Sequence, residues 1–140
     1  MKRYVRASGL SKQEQLDIIN KTNPAPDGYT WIRALEDIQT FQEAYDNDID
    51  GYVAYGGFTE DYTTEDMDKA LQTGKITVYS SYPIENGNFV TPSRMEAQSY
   101  AGFNSAVYCA EVNLDDIAWI DVDQGQVATD RKIPYRMVHP

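Results

Sequence analysis

The chain has 140 residues and a formal net charge of −10, from 22 acidic against 12 Lys and Arg residues. That length suits one domain, residues 1–140, with a core of its own; the acidity argues against nucleic acid as a direct ligand, because phosphate binding needs a cationic footprint. No apolar run approaches the ~20 residues of a membrane span, no apolar segment follows the basic start "MKRYVRASGLSKQEQ" as in a signal peptide, and the single Cys109 excludes an internal disulfide. The expectation is a soluble protein of a reducing cytoplasm.

In chain order, "SKQE" at 11–14 is a capping-box pattern, with Ser11 answered by Glu14, and it opens a helix that turns Leu16, Ile18 and Ile19 inward. "NPAPDG" breaks it. Trp31, Leu35, Ile38, Phe41 and Tyr45 recur at helical spacing and predict a second helix over 31–45. "TTEDMDKALQTG" predicts a third: a Thr cap, acids in the first turn, Met67, Ala70 and Leu71 inward, and Gly74 as the stop. Residues 1–74 are thus a mainly helical lead-in.

After Gly74 the period changes to two. "KITVYSSYP" and "NFVT" read as strands, "SRMEAQSYA" as a short helix with Ser93 and Glu96 forming a second capping box, and "AVYCAEVNL" and "IAWIDV" as strands. The first of that last pair alternates as though one face were solvated. "QVATDRKIPYRMV" adds an edge strand. Residues 75–140 are the sheet core, antiparallel-rich, and the class is α+β.

Residues 36–68 hold 11 of the 22 acids and no Lys or Arg. Two readings stand: a solvated face, or a docking surface for a protein with a basic surface. In the docking reading Asp46, Asp48, Asp50, Glu60 and Asp61 supply the field, and Tyr52, Tyr55 and Tyr62 supply amphipathic contact area. The same stretch imitates a calcium loop, with Asp46, Asp48 and Asp50 at the first, third and fifth positions and Gly51 at the sixth. Its twelfth position is Gly57 instead of the closing Glu, so no metal is expected. His139 is the one histidine and sits by the C-terminus, and Cys109 lies among apolar strand residues, so neither reads as a catalytic pair or a zinc site. Gly56-Gly57 lacks the Lys-Ser/Thr of a phosphate loop.

The order "ITVYSS", "NFVTPSRMEAQSYA", "AVYCAEVNLDDIAWID", "QGQ" resembles the core of the ADP-ribosyltransferase-like superfamily, most closely over 75–126, and the chain is similar in flavour to small bacteriophage proteins in which that domain stands alone or is fused to virion proteins. The resemblance implies an NAD cleft opened by a V-Y-R strand, walled by an S-T-S strand and closed by an E-x-E or Q-x-E turn. It implies cofactor-facing roles for Tyr79, Ser80, Thr91 and Ser93, and catalytic positions at Gln124 and Gln126. Here Ser80 stands where the family has its pyrophosphate-gripping Arg, Thr91-Pro92-Ser93 replaces S-T-S, and Gln126 replaces the Glu that stabilises the cationic transition state.

Serine cannot pair with a diphosphate as Arg does, and neutral Gln126 cannot stabilise positive charge. Arg94 is a substitute phosphate contact or a solvent-facing helix residue. Three functions remain open. The first is a non-catalytic phage accessory or virion-associated protein that binds protein and uses no cofactor. The second is an acidic inhibitor, anti-CRISPR-like or a DNA mimic, of a host defence nuclease or another nucleic-acid-binding defence protein. The third is an active NAD-dependent transferase with rearranged residues.

Overall fold

The computed structural model describes residues 10–22, 35–38, 64–102, 104–120 and 125–140. Helix α1 is Lys12–Thr22. Its capping box is complete: the Ser11 hydroxyl accepts from the Glu14 amide at 3.1 Å, and Glu14 Oε1 accepts from the Ser11 amide at 3.0 Å. Leu16 and Ile19 are buried, as their spacing requires, and Ile18 is half-buried. The unexpected buried residue is Gln15, whose amide nitrogen donates to the carbonyls of Asp115 at 2.9 Å and Ala128 at 3.1 Å.

Of the helix expected over 31–45, the described part is a single 3-10 turn, Leu35–Asp37, closed by the Ile38 amide donating to the Leu35 carbonyl at 3.1 Å. Leu35 is 46% exposed while Ile38 is buried. The chain leaves helical geometry at Ile38, so three-residue spacing no longer puts the two on one face. The other positions of that helix lie outside the described residues.

Helix α2 is Thr64–Thr73, with Met67, Ala70 and Leu71 buried. Gly74 ends it at φ +75°, its amide donating to the Ala70 carbonyl at 2.8 Å; this is the left-handed stop that glycine adopts without a Cβ penalty. Strand β1 (Lys75–Ser80) then runs antiparallel to β3 (Val107–Asn113), from Lys75 opposite Asn113 to Ser80 opposite Tyr108. Strand β6 (Arg136–Val138) pairs on the far side of β3, so one sheet has the order β1-β3-β6. The second sheet, in the order β2-β5-β4, contains β2 (Phe89–Val90), β5 (Gly125–Val127) and β4 (Ile117–Ile120), all antiparallel neighbours. Helices and antiparallel sheets together make the fold α+β.

The sheets meet where Tyr79 and Thr91 exchange both backbone hydrogen bonds, at 2.7 and 2.9 Å. Pro92 then turns the chain into helix α3, Arg94–Ala101, which packs on β1 and β3. Ser93 caps α3 by accepting from the Glu96 amide at 3.0 Å, but its own amide goes to Thr91 Oγ1 at 3.1 Å, so Glu96 does not complete the expected box.

Strand β3 does not have the solvated face its alternation suggested. Glu111 alone of its seven residues is exposed, since β1 and β6 flank the strand and α3 packs against it. The C-terminal stretch supplies two strands where one was expected, β5 in one sheet and β6 at the edge of the other.

Two apolar clusters sit on the sheets. One joins Met67, Ala70 and Leu71 of α2 to Ile76, Val78, Ala110, Val112, Ile117 and Val127. The other joins Leu16 and Ile19 of α1 and Ile38 to Ala118, Trp119 and Ala128. Consecutive residues Ile117, Ala118 and Trp119 therefore feed opposite clusters. A register shift between Ile117 and Trp119 accompanies this, since a bulge re-aims side chains that strict alternation would not.

Candidate functional site

Five of the six residues singled out by the resemblance cluster where the two sheets join. Tyr79 and Thr91 are the bridging pair, Ser80 follows on β1, Ser93 caps α3, and Gln126 on β5 lies opposite Phe89 of β2. Gln126 is a strand residue, not part of a turn, and Gln124 lies outside the described residues. Asp46, Asp48, Asp50, Tyr52, Tyr55, Glu60, Asp61 and Tyr62, with the rest of the calcium-loop pattern, also lie outside the described residues.

Each buried polar side chain at this junction is engaged by the protein itself. The Ser80 hydroxyl donates to the Phe89 carbonyl at 3.0 Å and accepts from the Tyr82 amide at 3.1 Å. Thr91 Oγ1 takes the Ser93 amide and Ser93 Oγ the Glu96 amide. Gln126, 3% exposed, accepts from the indole N–H of Trp119 at 2.8 Å and donates through Nε2 to the Gly87 carbonyl at 2.9 Å. Phe89 meets the same indole edge to face, with ring centroids 6.2 Å apart. These groups staple β2, β5 and β4 together; a buried amide with both ends satisfied holds a fold far more readily than it activates a substrate.

The loop before β2 is fastened in the same way. Asn86 mimics a strand, its amide nitrogen donating to the Thr129 carbonyl and its oxygen accepting from the Thr129 amide, both at 2.9 Å. Asn88 donates to the Pro83 carbonyl at 2.7 Å. Gly87 takes φ +86° where its amide reaches the Val127 carbonyl at 2.7 Å.

Tyr79 is half-buried, and with Pro92 it faces a cavity of about 520 Å³. The walls opposite come from Lys69, Ala70 and Thr73 of α2, and Thr77 of β1 forms part of the floor. This is within the size range of small-ligand sites, but it lies beside the junction rather than over Ser80 and Gln126. Arg94 is half-buried and donates to the His139 carbonyl at 2.9 Å, so it fastens the chain end beyond β6 rather than facing open solvent. Cys109 is buried in β3, and the His139 side chain is exposed.

Sequence reading missed one charged cluster. Asp116 is buried at the β3–β4 corner, where its Oδ2 accepts from the Asn113 amide at 2.9 Å and its Oδ1 accepts from Arg131. The Asn113 amide oxygen, turned toward the guanidinium, accepts from both Arg131 nitrogens at 2.7 and 2.8 Å. The hydrogen bond to Asp116, ahead of simple charge attraction, pushes the Arg131 pKa above its already high ordinary value. "LDDIAW" and "TDRK" carry no local signal of this pairing. It exists because the fold brings residues 116 and 131 together.

Among the described residues no group of three or more His, Cys, Asp and Glu side chains is arranged to hold a metal, and no helix is long and apolar enough to cross a membrane. No protein-family model, curated protein or solved structure matches the chain.

Proposed function

We propose that the chain is a non-catalytic, phage-type accessory protein that acts by binding another protein, in the host cytoplasm or attached to a virion, on an ADP-ribosyltransferase-like sheet core behind a helical lead-in. The observation that carries the reading is the state of the junction. Ser80, Thr91, Ser93 and Gln126 are buried and hydrogen-bonded within the protein. Groups that must greet a pyrophosphate, a ribose and a developing cation have to present their polar atoms to the ligand, and these present them to backbone and to the Trp119 indole. The replacement of Arg and Glu by Ser80 and Gln126 removes the charges as well.

The test uses purified protein with NAD labelled in the nicotinamide ring and, separately, in the adenylate part, with and without bacterial lysate. The expected result is no nicotinamide release and no transfer of label. Release that Gln126→Ala abolishes would overturn the reading in favour of an active transferase with rearranged residues.

A second reading is favoured by a separate observation, the 11 acids without a cation in residues 36–68: an acidic inhibitor that occupies the nucleic-acid channel of a defence nuclease. A one-signed field of this kind speeds association with a basic channel and is screened over about 8 Å at physiological salt. Reversing Asp48, Asp50, Glu60 and Asp61 to Lys should slow association and flatten its salt dependence. An unchanged salt slope would leave the segment a solubilising face.

A further inference from the structure

We propose that the outer edge of β1 at Thr77 is a strand-addition site that takes one extended segment of a partner polypeptide. This deepens the protein-binding reading and rests on it.

Among the described residues strand β1 is an edge strand of its sheet, with β3 on one side and no more than the Tyr79–Thr91 bridge on the other. Tyr79 exchanges both backbone bonds with Thr91, away from β3, and period-two alternation then points the N–H and C=O of Thr77 and Lys75 the same way. Lys75 is served there by the Thr73 hydroxyl, which takes its amide and reaches its carbonyl, each at 3.3 Å. Among the described residues nothing serves Thr77.

The cause is Pro92. Continuing β2 past Thr91 would bring Ser93 opposite Thr77, but Pro92 diverts the chain into α3. The space so vacated is the 520 Å³ cavity, bounded by Pro92 and Tyr79 at one end and by α2 along its side. An unpaired donor and acceptor beside a strand-sized gap is the template that edge-strand recognition uses.

The walls select the occupant. With α2 on one flank and Pro92 closing the end, a lone extended strand fits, whereas the edge of a second folded sheet would collide with α2. Charge makes no selection, because Lys69 and Lys75 share the walls with Asp66 and Glu111, and Lys75 lies 3.9 Å from Glu111. The segment is therefore taken through its backbone, with small or β-branched neighbours to lie flat against the strand.

A display library of random heptapeptides, selected on the full 140-residue chain, provides the probe. A selected peptide should protect the Thr77 amide from hydrogen exchange in the wild-type protein, and lose about tenfold in affinity when one residue is N-methylated, with little effect at its immediate neighbours. Thr77→Pro, which removes an outward N–H that the β1–β3 ladder does not use, should cost a similar factor. A library that yields no binder, or binders that leave Thr77 exchange unchanged and ignore that substitution, overturns the proposal. NAD turnover on the same preparation tests catalysis alone, so failure of the functional reading and failure of this site are read separately.

Discussion

The two sheets differ in what their polar groups do. In the β2-β5-β4 sheet every described side chain on β5 and from Ile117 to Trp119 is buried; Gln15 and Asn86 bind the backbone just beyond β5, and Gln126 within it binds the Trp119 indole. In the β1-β3-β6 sheet Lys75, Thr77 and Glu111 are exposed and a backbone edge is left open. Residues that look chemical in the sequence have gone to the closed sheet and its junction, and the backbone edge unserved among the described residues, where strand addition is proposed, belongs to the open one. A Ser, Thr or Gln at a motif position therefore says little until its burial and partners are known.

The sharpest way to break this contrast is to introduce the charges of the ADP-ribosyltransferase-like pattern that the sequence resembles. Ser80→Arg with Gln126→Glu would rebuild a catalytic pattern if the junction could open into a cleft. If it is closed, Arg must displace packed neighbours at a site 5% exposed, and the introduced carboxylate would face the Gly87 carbonyl that Gln126 now serves as a donor. Burying unpaired charge and overpacking together should cost more than about 3 kcal/mol. Urea denaturation measures it, and a double variant as stable as wild type would show that the junction opens.

Gln15→Ala should follow in size. It strips two hydrogen bonds from the Asp115 and Ala128 carbonyls and leaves a void between α1 and the closed sheet. The expected loss is about 2–4 kcal/mol, since unsatisfied buried acceptors cost about 1–3 kcal/mol each and the cavity adds to them. Glu111→Gln on the open sheet is the counterpart. It removes an exposed ion pair, and the change should stay within about 0.5 kcal/mol.

Much of this was legible from local signals. The Ser11–Glu14 box, the Met67–Ala70–Leu71 stripe, the Gly74 stop and the period of two from Lys75 depend on residues a few positions apart, and each has its expected place. What failed depended on distance. Gln15 reads as an ordinary polar helix residue until Ala128, 113 positions away, arrives above it. The periodicity from Trp31 put Leu35 inward because a helix was assumed through Ile38, and a 3-10 turn stands there. The resemblance put "QGQ" in a turn, yet Gly125 is buried within a strand. Five of the six positions that the resemblance picks out lie at the junction, but its closed state was not legible. That state turns on Gly87, Trp119 and Phe89, to which the resemblance assigns no role.

The smallest expected effect sharpens the comparison at its N-terminal end, where α1 is fastened by one device that titrates and one that does not. Gln15 carries no charge, whereas Glu14 is an exposed carboxylate whose pKa is lowered, first by the Ser11 amide and then by the Ser11 hydroxyl. A lowered folded-state pKa means that its contribution is complete above the unfolded carboxylate value, about 4.3, and disappears as pH falls through the lower folded value. Glu14→Gln should therefore reduce the melting temperature slightly at pH 7, where the wild-type side chain is ionised and also favours the helix N-terminus. Near pH 2 both side chains are neutral and the two proteins should melt together. The Gln15→Ala deficit, by contrast, should persist across the same range wherever the protein still folds. Thermal melts of both variants at a series of pH values separate the two. A Glu14→Gln difference that stays constant into acid would mean that the capping carboxylate acts by shape alone.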